Sequence, residues 1–199
     1  MFVVGLTGGV GSGKSTASDM FGELGAGIVD TDVISRELTA PGGAAIPALR
    51  EAFGPDYIDQ NGALDRARMR ALVFGDPAAR TKLEAILHPA IRAEVRVRLE
   101  NSDRPYVIVV VPLLLETGAY HDLTDRVLVV DCTEEEQLRR TTQRSGVTGD
   151  AARAIMAAQL PRAERLTRAD DVLSNAGSIE DLRRNVARLH AKYLDLARQ

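Results

Sequence analysis

Short apolar runs rich in β-branched residues recur along the chain. They occupy residues 2–6, 28–30, 106–111, 126–131 and, more weakly, 172–173. Nearly unbroken runs of this kind are typical of strands that are buried on both faces of a parallel sheet. The pattern therefore predicts five parallel strands.

Apolar residues at helical spacing follow most of these runs. One such stretch, 15–24, stops at Gly25, a second covers 33–38, and an amphipathic stretch covers 179–197. Strands that alternate with helices predict a doubly wound α/β fold with right-handed crossovers. In such folds, ligands bind at the carboxyl ends of the strands.

The region between residues 44 and 99 shows no strand pattern. Asp76 and Pro77 favour a helix start, and Pro89 predicts the opening of another helical segment. A chain of 199 residues with 45% hydrophobic content favours one domain. We therefore expect a single folded unit with a helical insertion.

Charge and cysteine content narrow the function classes. The net charge is −3, and since there is neither a basic excess nor a polybasic run, we expect no nucleic-acid partner and no membrane binding. Cys132 is the only cysteine, which excludes an intramolecular disulfide and a CxxC site and fits a reducing cytoplasm. The first residues are too short an apolar stretch for a signal peptide.

The most specific motif lies at residues 8–15, which read GGVGSGKS and match G-x-x-x-x-G-K-[ST] between a predicted strand and a predicted helix. Glycines let backbone N–H groups approach an anion, and a helix N-terminus adds about half a positive charge. Lys14 would neutralise the β- and γ-phosphates of a nucleotide, and the Ser15 hydroxyl would bind Mg²⁺. The residues expected to hold ATP here are Gly8, Gly9, Gly11, Ser12, Gly13, Lys14, Ser15 and Thr16.

Three carboxylates compete for the roles of base and metal ligand. Asp30 and Asp32 follow the second predicted strand, and Asp131 ends the fourth. A hydroxyl that attacks a γ-phosphate needs a proton acceptor, and either Asp30 or Asp32 is suited to this role or to a water-mediated Mg²⁺ contact. If a helix begins at residue 32, Asp32 is instead its N-cap. Asp131 resembles a Walker B acid but lacks a supporting partner in the sequence.

A helix face precedes a glycine-containing break at 145–149. Gln137, Arg140 and Arg144 lie at i, i+3 and i+7, so the two arginines could reach over bound ATP, although a solvated surface is the alternative for each. Asn175 and Gly177 follow the fifth predicted strand and are candidates for contacting adenine, with a simple turn as the alternative.

With these residues in place, the chain resembles the dephospho-CoA kinase family over about 180 residues. The similarity is carried by 5–15, by the D-x-D at 30–32, and by further segments in the same order along the chain: 87–89 (LHP), 111–116 (VPLLLE), 137–144 (Q-x-x-R-x-x-x-R) and 169–177 (ADDVL-x-N-x-G). Thr31 departs from the alanine that is frequent in the family, and Leu115 from a frequent aromatic residue.

The resemblance implies a three-layer P-loop kinase fold with a core (1–38, 100–138 and 167–199), a helical CoA-binding insertion (about 39–99) and a lid (about 139–166). It implies transfer of the γ-phosphate of ATP to the ribose 3′-hydroxyl of dephospho-CoA, with Mg²⁺ as cofactor. Asp32, Lys14 and Arg140 would be catalytic, and Asp32, His88 and Leu114 would lie at the acceptor.

Two other readings remain open at this point. One is a different small-molecule P-loop kinase, such as a nucleoside or nucleoside monophosphate kinase, which the matches at 39–99 and 111–116 disfavour. The other is a nucleotide-dependent switch. The chain has no Asn-Lys-x-Asp guanine reader, because its three lysines are Lys14, Lys82 and Lys192 and none follows Asn.

Overall fold

The computed structural model describes residues 1–145 and 147–199, and the side chains of residues 144 and 145 lie outside the description. Within this part, the sheet has five strands in the order β2-β3-β1-β4-β5. The strands are β1 (Phe2–Gly8), β2 (Gly27–Asp30), β3 (Tyr106–Val110), β4 (Arg126–Asp131) and β5 (Asp171–Ser174). The α/β fold with a five-stranded parallel sheet is confirmed.

The register places β1 at the centre of the sheet. It pairs in parallel with β3, where Leu6 faces Val110, and with β4, where Gly8 faces Val130. Because β1 has neighbours that come later in the chain on both sides, its carboxyl end is the point where the strand order reverses. The glycine loop follows that end directly.

The helices between the strands cover most of the remaining chain. They are α1 (Lys14–Glu23), α2 (Thr31–Leu38), α3 (Ile46–Phe53), α4 (Arg66–Gly75), α5 (Pro77–Glu100), α6 (Leu114–Thr117), α7 (Glu134–Ser145), α8 (Gly149–Ala157), α9 (Arg162–Thr167) and α10 (Ile179–Leu196). Two 3₁₀ turns, Pro55–Tyr57 and His121–Leu123, complete the elements of the described chain. In that part, no helix combines the length and the apolar character needed to cross a bilayer.

The prediction that Pro89 opens a separate helix is wrong. Helix α5 begins at Pro77, as the Asp76 cap indicated, and continues through Pro89 to Glu100. A proline inside a helix costs about 3 kcal/mol because it removes one hydrogen bond and crowds the preceding turn. Ile91, Val95 and Leu99 follow at four-residue spacing and are buried, and their burial offsets that cost.

The chain divides into two compact units. The first contains residues 1–29 and 101–199, and the second contains residues 30–100. In the first, the core between the sheet and its helices includes Phe21 of α1 and Tyr193 of α10, whose ring centroids lie 6.1 Å apart. In the second, buried residues of α3 and α4 and their connections form a separate cluster: Ala45, Ile46, Leu49, Leu64 and Met69.

Candidate active site

The loop between β1 and α1 adopts a backbone that only glycine tolerates. Gly11 and Gly13 have φ of +71° and +96°. A Cβ at Gly11 would lie 2.6 Å from the backbone carbonyl oxygen of Gln137. A Cβ at Gly13 would lie 2.2 Å from the side-chain nitrogen (Nδ2) of Asn175. Conformation and space therefore both require glycine at these positions.

The loop presents the N-terminus of α1. Gly13 is the N-cap of this helix, which no side chain of the described residues caps. The first N–H groups of a helix have no intrahelical acceptor, so they form a ready site for an anion. Hydrogen bonds at Ser12 hold the loop on its α1 side, because the Ser12 N–H donates to the Gly9 carbonyl (3.1 Å) and the Asn175 side chain donates to the Ser12 carbonyl (2.7 Å).

Lys14 and the two residues after it lie in the first turn of α1. The Lys14 Nζ atom donates to the carbonyl oxygens of Gly8 (2.9 Å) and Gly9 (3.1 Å), which holds the ammonium group against the loop. Ser15 and Thr16 are exposed. The predicted phosphate-binding residues are therefore brought together around one helix terminus.

Arg140 lies on α7 beside this loop. Its Nε atom donates to Glu136 (2.6 Å), and its Nη2 atom donates to the Asn175 carbonyl (3.1 Å). Hydrogen bonds from Arg139 and then Arg140 lower the pKa of Glu136 to about 2, so this carboxylate stays ionised and holds both guanidinium groups. The geometry brings Arg140 to within reach of an anion at the loop.

A cavity of about 490 Å³ opens between the loop and α7. Two buried hydroxyl groups of the described residues, Ser12 Oγ and Thr141 Oγ1, have no hydrogen-bond partner. Buried polar groups are usually paired, and Thr141 lines the cavity, so its hydroxyl marks a place where a polar ligand fits. The cavity is lined by Val10, Gly11, Gly13, Thr16, Arg140, Thr141 and Gln143.

The remaining predicted nucleotide contacts have different surroundings. Asn175 is buried, and its side-chain amide holds the loop through Ser12. Gly177 is exposed beside Asp181, next to the cap of α10. The side chain of Arg144 lies outside the described residues.

Asp131 is not an open carboxylate. Its Oδ1 and Oδ2 atoms accept from Nε (2.7 Å) and Nη2 (2.6 Å) of Arg162 in a bidentate pair. Because both oxygens are engaged by one guanidinium group, the structure disfavours Asp131 as a metal ligand. Among the described residues, no three of the His, Cys, Asp and Glu side chains are grouped to hold a metal ion.

In the second unit, the D-x-D segment begins α2. Strand β2 ends at Asp30, whose Oδ1 atom accepts from the N–H groups of Asp32 (2.8 Å) and Val33 (3.4 Å). The alternative that Asp32 is the N-cap is therefore wrong, since Asp30 has that role. Asp32 is exposed in the first turn of the helix.

The two other predicted acceptor residues differ in exposure. His88 is exposed on α5 of the second unit. Leu114, in the first unit, is buried, and its Cδ2 atom would lie 2.7 Å from a Cβ at Gly5. A side chain at position 5 would therefore require Leu114 to move.

Sequence analysis overlooked three residues that follow α8. The Gln159 side chain accepts from the Val10 N–H (2.9 Å), Arg162 pairs with Asp131, and Arg165 is 5% exposed with its guanidinium group against Gly9. Their regular spacing, Q-x-x-R-x-x-R, was the available signal in the sequence, and of the three only Arg162 and Arg165 lie in a helix, α9.

Comparison with known proteins decides the family. Residues 2–181 match the dephospho-CoA kinase family. The chain belongs to this family. It is 57% identical over 197 residues to a dephospho-CoA kinase of Nitrosospira multiformis (99% of this chain and 98% of the relative). It is also 55% identical over 192 residues to one of Chromobacterium violaceum (96% and 94%).

Solved structures agree with this assignment. A Thermus thermophilus crystal structure is 34% identical, with a TM-score of 0.82 over 96% of this chain and 97% of that one. A dephospho-CoA kinase from Campylobacter jejuni is 25% identical, with a TM-score of 0.72 over 97% of each chain. A shikimate kinase from Bacteroides thetaiotaomicron, at 18% identity and a TM-score of 0.52, covers 96% and 97% and shares the fold.

The activity is that of a dephospho-CoA kinase, the final step of coenzyme A biosynthesis, and ATP is the phosphoryl donor. The expectations of the fold, the enzyme class and the ATP-binding P-loop are confirmed.

Proposed function

We propose that the triphosphate of ATP lies across the N-terminus of α1, held by the loop, Lys14 and Arg140, while Asp32 accepts the proton of the ribose 3′-hydroxyl of dephospho-CoA. The observation that supports the donor side most directly is the convergence of an uncapped helix terminus and the Arg140 guanidinium group on one cavity, with the Lys14 ammonium group held against the same loop.

Phosphoryl transfer depends on positioning and on charge stabilisation, because the transition state spreads negative charge over the transferred group. Backbone N–H groups of the loop would orient the β- and γ-phosphates without any reorganisation during the reaction. Lys14 would exchange the carbonyl oxygens of Gly8 and Gly9 for phosphate oxygens. Arg140 would stabilise the charge that develops on the transferred group.

The site is suited to Mg²⁺. Ser15 is exposed in the first turn of α1, directly after Lys14, where its hydroxyl can bind a metal that accompanies the triphosphate. When bound, Mg²⁺ would neutralise part of the phosphate charge. The Asp30 Oδ1 atom accepts both capping hydrogen bonds from α2, which leaves Oδ2 for metal-bound water.

Asp32 is the preferred base. Because Asp30 caps α2, the Asp32 carboxylate is not needed for the start of the helix, and it is exposed. A carboxylate in this role accepts the hydroxyl proton late, as the bond to phosphorus forms.

We also propose that His88 and Leu114 lie near the acceptor. The three-part division, with an insertion at about 39–99 and a lid at about 139–166, stays a prediction. A cytoplasmic location also stays a prediction.

The test compares Asp32→Asn with Asp30→Asn in an ADP-release assay with ATP, Mg²⁺ and dephospho-CoA. Asparagine keeps the shape of aspartate but accepts no proton, so Asp32→Asn should lower kcat by roughly 10² to 10⁴ with a smaller change in KM. Asp30→Asn should be milder, because asparagine caps a helix as well as aspartate does.

Acceptor specificity is measured in the same assay with adenosine, AMP and uridine. Dephospho-CoA should be the best acceptor by a wide margin. A folded Asp32→Asn protein with kcat within about threefold of wild type would exclude Asp32 as the base and leave Asp30 as the next candidate.

A further inference from the structure

The segment of residues 159–165, here called the clasp, joins the end of the predicted lid to the phosphate loop. It starts two residues after α8 ends at Ala157. Its first residue, Gln159, reaches the loop, where its Oε1 atom accepts from the Val10 N–H at 2.9 Å. This is a contact between residues 149 positions apart in the chain.

The backbone of the clasp is held at Leu160 from two directions. The Leu160 N–H donates to Glu116 Oε1 (3.0 Å), shortly after β3, and the Leu160 carbonyl accepts from Nη1 of Arg165. Arg165 is buried, and its Nη2 atom would lie 2.8 Å from a Cβ at Gly9. The peptide next to Gln159 therefore has little freedom to move.

The bidentate pair between Arg162 and Asp131 anchors the same segment to the end of β4. The clasp thus contacts the loop after β1, helix α6 after β3, and the carboxyl end of β4. These three anchors restrict the position of the Gln159 side chain.

We propose that Gln159 is a positioning residue for phosphoryl transfer, which fixes the phosphate loop through the Val10 N–H and ties it to the base of the predicted lid. The loop is otherwise held by Asn175 at Ser12, on its α1 side. Gln159 supplies the matching contact on the β1 side, where Lys14 meets the carbonyl oxygens of Gly8 and Gly9.

The consequence for catalysis follows from geometry. The N-terminus of α1, Lys14 and Arg140 are held by contacts other than Gln159, so ATP binding should largely survive its loss. The part of the loop around Val10 would gain freedom, and small displacements of positioning groups cost up to about 10²-fold in rate. Loss of Gln159 should therefore lower kcat more than it raises KM.

The experiment uses the full chain with ATP, Mg²⁺ and dephospho-CoA. Gln159→Ala should lower kcat at least about 10-fold, with KM for ATP within about threefold of wild type. Gln159→Glu keeps an acceptor oxygen at the same length, and Arg153, Arg162 and Arg165 line, together with residue 159, a second cavity of about 360 Å³ and compensate the added charge. This variant should therefore recover most of kcat. Gln199→Ala, an exposed glutamine at the end of the chain, is the matched control and should equal wild type.

Hydrogen exchange of the Val10 amide gives a direct readout of the contact. It should be faster in Gln159→Ala than in wild type and near wild type in Gln159→Glu. Should Gln159→Ala fail to fold, Gln159→Met, which has similar length but no strong acceptor, takes its place.

Three results would overturn the proposal. The first is a kcat of Gln159→Ala within twofold of wild type, and the second is an equal loss of kcat in Gln159→Ala and Gln159→Glu. The third is failure of both Gln159→Ala and Gln159→Met to fold, which would make Gln159 a structural residue. The proposal rests on the role of the phosphate loop given above. A wild-type protein inactive on dephospho-CoA would refute that function, whereas an active wild type with an insensitive Gln159→Ala would refute only the positioning role.

Discussion

Gly13→Ala tests how the loop is built, because this glycine meets two separate constraints. Its backbone has φ +96° and ψ 26°, and an added Cβ would lie 2.2 Å from the Asn175 side-chain nitrogen. Gly25 offers a matched control. It has φ +102°, and a Cβ there would meet nothing within 4 Å.

The two substitutions differ in the contact with Asn175 and share the backbone strain. A non-glycine residue in the left-handed region costs about 1–3 kcal/mol, and this applies to both variants. In Gly13→Ala the Asn175 amide must also move away from the Ser12 carbonyl, and leaving these buried groups unpaired costs about 1–3 kcal/mol more. We expect Gly13→Ala to lower the free energy of unfolding by about 2–6 kcal/mol and Gly25→Ala by about 1–3 kcal/mol.

Urea unfolding measures both values, and ADP release measures the effect on turnover. Gly13→Ala should lose at least about 10²-fold in kcat because the loop moves, whereas Gly25→Ala should stay within about twofold. Asn175→Ala removes the clashing atoms. In that background the extra cost of Gly13→Ala should therefore vanish, which a double-mutant cycle detects as a coupling energy.

Equal destabilisation by Gly13→Ala and Gly25→Ala would refute this reasoning, because it would show that the Asn175 contact adds nothing to the requirement for glycine. A cycle without coupling between positions 13 and 175 would lead to the same conclusion.

Two further predictions concern charge and protonation. Lys14→Ala should lower turnover by at least about 10²-fold with little change in circular dichroism, since it removes a cation from the phosphates rather than from the core; near-normal turnover would contradict the assignment of Lys14. The Nδ1 atom of His190 lies 2.7 Å from the Tyr106 hydroxyl, and burial lowers the pKa of this histidine in the folded protein. As the pH falls below about 6.5, the unfolded chain therefore binds more protons at His190 than the folded protein does, and the free energy of unfolding decreases. His190→Gln should reduce the loss of urea stability between pH 7.5 and 5.5, and an unchanged loss would exclude His190 as its source.

Local sequence determined the strands and the loop. Apolar runs buried on both faces gave the strands, since a parallel sheet covered by helices leaves little room for polar residues. The glycine pattern at 8–15 predicted the loop because backbone conformation and close packing restrict the glycine positions, such as Gly11 and Gly13, to this one residue type. These signals are contained within a few consecutive residues.

Helix boundaries depended on burial as well as on local preference. Pro89 predicted a break, but the buried positions after it keep α5 continuous. At the start of α2, both aspartates are good caps, and the backbone geometry decided in favour of Asp30. Local preferences of similar size cannot rank such alternatives.

The partners of the polar side chains were decided only by the tertiary structure. In the sequence Asp131 resembles a metal ligand, but in the structure Arg162, 31 positions away, donates hydrogen bonds to both of its carboxylate oxygens. No prediction was made for Gln159, and only the fold places its side chain against the Val10 N–H. Hydrogen bonds depend on distances of a few tenths of an ångström between groups far apart in the chain, and the sequence carries no record of those distances until the sheet and its helices have packed.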